Sequence, residues 1–215
     1  GRDPRFALTI AKNGDKGWPT YNQLPLQTYV GGANGSPIPG ATPTGYYLKK
    51  YLDPSVDLRP NYTNTKRHSW IIYRLGEFYL NYAEAVFNYL GSADATDNIF
   101  TLSARDAVNV IRQRSDVGMP KLPTGLSNDD FLKKYKNERM VELAFEGHRF
   151  WDIRRWKDGN VLRNITLMKI NKIGDDNFTY TRVERKRLWD DKMYFFPIPD
   201  AEIRKNSNLT QNPGW

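Results

Sequence analysis

The densest set of ionisable side chains lies in one stretch after the midpoint of the chain and combines carboxylates with guanidinium groups. Glu138, Glu142 and Glu146 follow one another at intervals of four residues, which places them on one face of a helix. Carboxylates beside His148 could perform general acid–base catalysis or bind a metal ion. The same carboxylates beside Arg139 could instead neutralise arginines and join the helix to its neighbours. We favour the structural interpretation, because a catalytic site also needs a nucleophile or a metal that the sequence does not indicate.

Other catalytic and metal-binding signatures are missing from the sequence. It contains no cysteine, which excludes thiol nucleophiles, thiolate zinc sites, iron–sulfur clusters and disulfides. Its two histidines, His68 and His148, are not at metal-ligand spacing. The sequence has no Gly-x-Ser-x-Gly elbow, and no glycine-rich phosphate loop follows a predicted strand. We therefore predict no enzymatic activity, no metal and no cofactor.

A second set of residues that could bind a ligand is aromatic and lies in the first 68 residues. This segment carries so many prolines and glycines that a long helix is excluded. Tyrosine and tryptophan present an apolar ring face and a polar tip, which suit the faces and hydroxyl rims of sugar rings. The alternative is that the rings pack beneath a long loop as a small satellite core. The candidate ligand-binding residues are Trp18, Tyr21, Tyr29, Tyr46, Tyr47 and Tyr62.

Apolar periodicity predicts the helices that would position these residues. Apolar side chains recur every three or four residues over 69–90, which predicts one helix. A capping box at Ser103 begins a second helix that ends at Gly118. Small residues such as Gly76 would let the two helices approach each other closely. We expect an antiparallel hairpin that resembles a tetratricopeptide repeat.

The rest of the chain is predicted to form shorter elements. Ser127 caps a third helix that runs through residue 145 to a stop near Gly147, and a short helix follows before Gly159. Residues 161–173 and 178–187 are typical of two strands that form a β-hairpin. The prolines after residue 196 keep the chain extended until one or two helical turns at 200–205.

Composition restricts the class of protein. The 215 residues are 39% hydrophobic and 13% aromatic, which is typical of a folded chain, and no stretch approaches the ~18 apolar residues of a membrane span. The net charge of +8 permits an acidic partner, but positive and negative residues are mixed and no nucleic-acid-binding motif is present, so we predict no nucleic-acid partner. We expect one domain, 1–215, with an irregular segment (1–68), a helical core (69–156) and a hairpin with a C-terminal tail (157–215).

Long, ordered motifs extend from residue 3 to residue 215. They are Asp3-Pro4-Arg5-Phe6, Arg74-Leu-Gly-Glu77-Phe-Tyr-Leu-Asn81-Tyr-Ala-Glu84-Ala, Ala107-Val-Asn109-Val-Ile-Arg112-Gln-Arg114, Glu138-Arg139-x-x-Glu142-Leu143-x-x-Glu146-Gly147-x-Arg149-x-x-Asp152-Ile-x-Arg155-Trp156, Pro197-Ile198-Pro199-x-x-Glu202-Ile203 and Gln211-Asn212-Pro213-Gly214-Trp215. These motifs closely resemble the C-terminal half of SusD/RagB-like proteins. One departure is Ser207, where the family usually has proline.

The resemblance implies a mainly α fold of tetratricopeptide-like helix pairs with an irregular C-terminal region that forms much of the binding surface. It implies a lipoprotein on the outer face of the outer membrane of Bacteroidetes-type bacteria. Such proteins bind a nutrient, usually an oligosaccharide or polysaccharide, and cover a SusC-like TonB-dependent transporter. We expect the lipid anchor and most helix pairs to lie in a preceding part of a longer protein, because the chain lacks an initiator Met and a signal peptide. The lipid anchor would be the protein's sole attachment to the membrane.

The ionic residues are then expected to form a structural network. Its predicted members are Arg74, Glu77, Glu84, Glu138, Arg139, Glu142, Glu146, Arg149, Asp152 and Trp156. Two alternatives stay open. One is a protein-interaction module without direct ligand contact, and the other is a glycoside hydrolase that uses the carboxylates of the third helix.

Overall fold

The structure is a computed structural model that describes residues 2–16, 24–53, 55–56, 61 and 64–215. The chain divides into two compact units. The first unit contains residues 1–11, 17–24 and 48–149, and the second contains residues 12–16, 25–47 and 150–215.

Helices dominate the described part of the chain, and this confirms the predicted mainly α class. The helices are α1 (Arg5–Thr9), α2 (Leu75–Leu90), α3 (Ala104–Arg112), α4 (Asn128–Glu142), α5 (His148–Arg155) and α6 (Asp200–Lys205). Single 3₁₀ turns cover Gly159–Leu162 and Asp191–Tyr194. The strands are β1 (Ile10–Lys12), β2 (Tyr46–Leu48), β3 (Asn164–Lys172) and β4 (Phe178–Lys186), which pair as β1–β2 and β3–β4.

The core of the first unit lies where α2 packs against α3, as the sequence predicted. Ala83, Ala104 and Ala107 are completely buried, and such small side chains let two helix backbones approach closely. Phe131 and Tyr135 of α4 are also completely buried in this unit. Burial of these apolar residues supplies the main driving force for folding the helices together.

The first long helix begins later than its apolar pattern predicts. The pattern starts at residue 69, but α2 begins at Leu75, and Arg74 before it is extended, with φ −148° and ψ 158°. The adjacent Ile71 and Ile72 are β-branched, which favours an extended backbone over a helical one. The β-branched residues therefore give a local reason for the later start of α2.

Both predicted serine caps are present. The Ser103 hydroxyl accepts a hydrogen bond of 3.1 Å from the backbone N–H of Asp106, and the Ser127 hydroxyl accepts one of 3.2 Å from Asp130. Each bond satisfies a backbone donor that the first helical turn leaves unpaired. The predicted end of the third helix is wrong, because α4 stops at Glu142 and Phe145 adopts a left-handed φ of 63°.

The second unit is built around the β-hairpin. β3 and β4 pair in antiparallel register from Asn164↔Lys186 to Lys172↔Phe178. The irregular segment 25–47 lies along the other edge of β3, where the Val30 N–H donates to the Ile170 carbonyl at 2.8 Å. Ile170 is buried beneath this segment. The segment is thereby fixed by backbone hydrogen bonds although it has little regular structure of its own.

Candidate functional site

Glu142 is a buried carboxylate of the first unit that contacts three arginines. It is 4% exposed. One of its oxygens accepts from Arg74 at 2.6 Å and from Arg114 at 2.7 Å, and the other accepts from Arg5 at 2.8 Å. Both oxygens are therefore occupied by guanidinium donors, which are the strong, charge-assisted partners of a carboxylate.

The two neighbouring carboxylates are also paired. Glu138 lies 2.7 Å from the Arg5 guanidinium and 2.6 Å from that of Arg112. Glu146 lies beyond the end of α4, where it contacts Lys50 Nζ at 2.5 Å and accepts three hydrogen bonds from Arg74. We call Glu138, Glu142 and Glu146, together with Arg5, Lys50, Arg74, Arg112 and Arg114, the ionic network.

The ionic network also explains Gly76. A Cβ at this position would lie 2.6 Å from Arg74 Nη1 and 2.9 Å from Glu142 Oε1. The close neighbour at this glycine is therefore the Arg74–Glu142 ion pair and not the second helix of the predicted hairpin.

Electrostatics hold Glu142 and Glu146 in the ionised form. Burial alone would raise the pKa of Glu142, but hydrogen bonds from Arg74, Arg5 and Arg114 outweigh it and lower the pKa to about 2. Burial also opposes ionisation of Glu146, whose pKa is nevertheless lowered by its bonds from Arg74 and Lys50. A general acid must carry a proton near neutral pH, and these two groups do not.

The other predicted network residues lie outside this cluster. Arg139 is buried and donates to Asn81 at 2.8 Å. Glu84 accepts a hydrogen bond of 2.8 Å from the Tyr135 hydroxyl, and Glu77 lies 3.4 Å from His148. Asp152 accepts a hydrogen bond of 2.8 Å from Arg155, whose guanidinium lies 4.5 Å from the centre of the Trp156 ring. Arg149 is half-buried. Four predicted members thus meet in the ionic network: Arg74, Glu138, Glu142 and Glu146.

Sequence reasoning missed Arg5, Lys50, Arg112 and Arg114 as members of the ionic network. The partners of Glu142 are separated from it in sequence by 137 residues for Arg5 and 68 for Arg74. Helical spacing gives no information on contacts over that distance. The one available signal was the excess of lysine and arginine over aspartate and glutamate, 32 against 24.

The predicted ligand-binding aromatics are only partly described. Trp18, Tyr21 and Tyr62 lie outside the described residues. Tyr29, Tyr46 and Tyr47 are half-buried residues of the second unit. The Tyr47 hydroxyl donates to the Asn34 carbonyl at 2.8 Å, which fixes it within the loop.

Tyr29 lies against the hairpin. Its ring centre is 5.4 Å from that of Phe178, and Lys172 Nζ lies 5.9 Å from the same ring. Phe178 and Tyr180 are two residues apart on β4 and share a face of the hairpin. Tyr180 is 55% exposed. We call Tyr29, Lys172, Phe178 and Tyr180 the ring face, which combines aromatic surfaces with a cationic hydrogen-bond donor.

Two further groups of exposed rings were not predicted as ligand-binding. In the second unit, Phe150, Trp151 and Phe196 have ring centres 5.0–6.3 Å apart. In the first unit, Tyr51 stacks on Trp70 at 5.9 Å. The sequence pattern assigns most of these rings to apolar helix stripes or to extended chain. Neither assignment indicates whether a given ring is exposed or buried.

Within the described ranges, no group of three or more His, Cys, Asp or Glu side chains is arranged to hold a metal ion. None of the helices described in the structure has the length and apolar character required to cross a membrane.

Comparison with known proteins identifies the family. The profile of the SusD family matches residues 1–215. The chain belongs to the SusD family. Members of this family are generally nutrient-binding proteins and are associated with the outer membrane.

Individual SusD-like relatives agree with this assignment. SusD-like protein P2 of Formosa agariphila is 30% identical over 145 residues, which are 63% of this chain and 25% of that protein. A crystal structure of a SusD-like protein from Bacteroides fragilis superimposes with a TM-score of 0.79 at 32% identity, and covers 100% of this chain and 39% of that one. The protein BT4246 superimposes with a TM-score of 0.74 at 29% identity, over 100% of this chain and 37% of that one. The chain thus spans about a quarter of the curated relative and less than two fifths of these solved structures.

Proposed function

We propose that this SusD family chain is the non-catalytic part of a cell-surface protein that binds an oligosaccharide or polysaccharide. In this proposal the whole protein is lipid-anchored on the outer face of the outer membrane and delivers its ligand to a SusC-like TonB-dependent transporter. The observation that carries the proposal is the ring face, where Tyr29 and Phe178 lie together and Tyr180 is open to solvent.

The ring face has the chemistry that a sugar ring needs. Aromatic rings bind the C–H-rich faces of sugars, and hydroxyl and ammonium groups at the rim donate hydrogen bonds to sugar oxygens. Tyr29, Tyr180 and Lys172 supply both kinds of group on one hairpin and its adjoining loop. Because β3 and the loop are joined by backbone hydrogen bonds, the rings are held in place before a ligand arrives.

The state of the carboxylates supports a binding role over hydrolysis. A glycoside hydrolase needs one carboxylic acid that stays protonated and a second carboxylate that reaches the sugar. Glu138, Glu142 and Glu146 are each paired with at least two cationic side chains, and the lowered pKa values of Glu142 and Glu146 keep those two groups ionised.

The protein-interaction alternative is favoured by a different observation. Four consecutive apolar residues before α2 are exposed, Trp70, Ile71, Ile72 and Tyr73. Exposed apolar runs of this kind often mark contact surfaces between proteins. Binding of a saccharide and contact with a protein can coexist in one chain.

Affinity electrophoresis tests the proposal. The wild-type chain is run in native gels that contain starch, xylan, mannan, laminarin or dextran, and the double variant Tyr29→Ala/Tyr180→Ala is run beside it. Retardation of the wild type in at least one gel is expected, with binding about 30-fold weaker in the double variant, because each of the two ring contacts contributes about 1 kcal/mol.

Tyr73→Ala is the matched control. Tyr73 is also 55% exposed, but it belongs to the first unit. It should bind like the wild type. Wild-type protein that is retarded by none of these polymers, or a double variant that binds as well as Tyr73→Ala, would contradict the proposal. Near-UV circular dichroism of each variant checks that the fold is retained.

A further inference from the structure

A concave pocket at the open end of the hairpin concentrates positive charge. Its volume is about 310 Å³, and it belongs entirely to the second unit. Its lining consists of Arg163, Asn164, Lys186, Arg187, Leu188 and Trp189. We call it the basic pocket, because three of these six side chains are cations and the lining contains no carboxylate within the described part of the chain.

The β-ladder places the three cations at the same end of the hairpin. Asn164 is opposite Lys186, and the Arg187 N–H donates to the Arg163 carbonyl at 2.8 Å, which continues the same register by one residue. Two arginines are therefore directly opposite each other on adjacent strands. Like charges in this position destabilise a hairpin.

No ion pair within the described residues neutralises Arg163, Lys186 or Arg187. Carboxylates of the second unit form ion pairs with Lys12, Arg155 and Lys205. Asp190, which follows the pocket in sequence, accepts a hydrogen bond from the Lys192 N–H. Among the ion pairs of the described residues, none involves Arg163, Lys186 or Arg187, and all three are exposed to solvent.

The floor of the basic pocket is rigid. Trp189 is 7% exposed, and its indole packs where a Cβ on Gly159 would otherwise lie. The Tyr194 hydroxyl accepts a 3.0 Å hydrogen bond from the Gly159 N–H and lies beside the same indole. A fixed apolar floor below three flexible cations provides a recess in which an anionic group would exchange water for charged donors.

We propose that the basic pocket binds an acidic substituent of the saccharide, either a carboxylate or a sulfate ester. This inference rests on the proposed function, and it extends it by naming the chemical class of the ligand. Lys186 and Tyr180 are on the same face of β4 and six residues apart, so about 20 Å of strand separates the basic pocket from the ring face. By the same alternation Arg163 and Arg187 lie on the opposite face, so an extended oligosaccharide on the ring face would reach the basic pocket at Lys186.

Binding to two acidic polymers tests the inference. The full chain is titrated with polygalacturonate, which carries carboxylates, with dextran sulfate, which carries sulfate esters, and with neutral dextran. In the variant Arg163→Gln/Lys186→Gln/Arg187→Gln, binding to at least one acidic polymer should be at least tenfold weaker. Loss for polygalacturonate alone identifies a carboxylate, loss for dextran sulfate alone identifies a sulfate ester, and loss for both identifies the shared negative charge.

A second triple variant separates the pocket from the overall charge of the protein. Lys169→Gln/Arg185→Gln/Arg204→Gln also removes three exposed cations of the second unit, but none of them lines the basic pocket. It should bind the acidic polymers within about twofold of the wild type. Equal losses in the two triple variants, or a wild type that binds neither acidic polymer, would overturn the inference.

The salt dependence provides a further check. Raising the ionic strength from 0.1 M to 1 M shortens the screening length from about 10 Å to about 3 Å, so binding through the basic pocket should weaken strongly. Failure of the acidic-ligand inference is distinguishable from failure of the proposed function, because the proposed function is tested by the binding of the Tyr29→Ala/Tyr180→Ala variant to neutral polymers. The basic-pocket variant keeps the ring face and should bind neutral polymers as the wild type does.

Discussion

Replacement of Glu142 by Gln tests whether the ionic network stabilises the first unit. The substitution keeps the size of the side chain and removes the charge that three guanidinium groups share. Relative to an ordinary value of 4.5, the pKa of about 2 corresponds to about 3 kcal/mol of stability at 1.36 kcal/mol per pKa unit. At pH 7 we therefore expect Glu142→Gln to lower the free energy of unfolding by about 3 kcal/mol.

The same pKa fixes how this loss depends on pH. A carboxylate with a lowered pKa in the folded state stabilises the protein above the unfolded pKa, and the contribution disappears as the pH falls through the folded pKa. For Glu142 this window runs from about pH 5 to about pH 2. By pH 3, about 2 kcal/mol of its contribution should be lost. The difference between the wild type and Glu142→Gln should therefore shrink to about 1 kcal/mol.

Urea denaturation followed by circular dichroism at pH 7, 5, 4 and 3 measures these differences. Glu202→Gln is the control, because Glu202 forms an exposed pair with Lys205 at 2.8 Å that should contribute less than about 1 kcal/mol at any pH. A Glu142→Gln variant that loses less than 1 kcal/mol at pH 7 would refute the reasoning. So would a difference from the wild type that is the same at pH 7 and pH 3.

Two further substitutions test local features of the fold by the same denaturation assay. Ser103→Ala removes the hydroxyl that accepts from the Asp106 N–H, and should cost about 1 kcal/mol; an unchanged stability would show that water replaces the cap. Gly159→Ala places a methyl group where the Trp189 indole packs, and should cost about 1–3 kcal/mol through overpacking. Gly174→Ala, whose Cβ would meet nothing closer than 3.5 Å, is its control, and equal effects of the two glycine substitutions would contradict the packing argument.

The parts of the fold that depend on local physics could be predicted from the sequence. Serine caps at Ser103 and Ser127 depend on a side chain and a backbone group three residues apart, and both are present. The hairpin was predicted within a few residues at each end, and its register places Phe178 opposite Lys172. The end of α4 was not predictable in this way, because residues after Glu142 continue the apolar pattern while Glu146 is drawn to Arg74 and Lys50.

Contacts between residues that are far apart in sequence could not be predicted from residue spacing. Tyr29 was a candidate because of its residue type alone, and its partner Phe178 is 149 residues further along. The sequence could not indicate that a proline- and glycine-rich loop would bond to the free edge of β3. Of the four residues of the ring face, only Tyr29 was therefore predicted, from its residue type, and no signal indicated Lys172, Phe178 or Tyr180.

Arginine serves two different purposes in this chain, and the distribution of carboxylates separates them. In the first unit, Arg5 and Arg74 form ion pairs with poorly exposed carboxylates, which neutralise their charge within the fold. In the second unit, Arg163 and Arg187 lie opposite each other with no carboxylate in the pocket lining of the described chain. A fold tolerates such repulsion at a modest cost, and a bound anion would remove it. The unmatched arginines are therefore the ones that distinguish a ligand site from a scaffold.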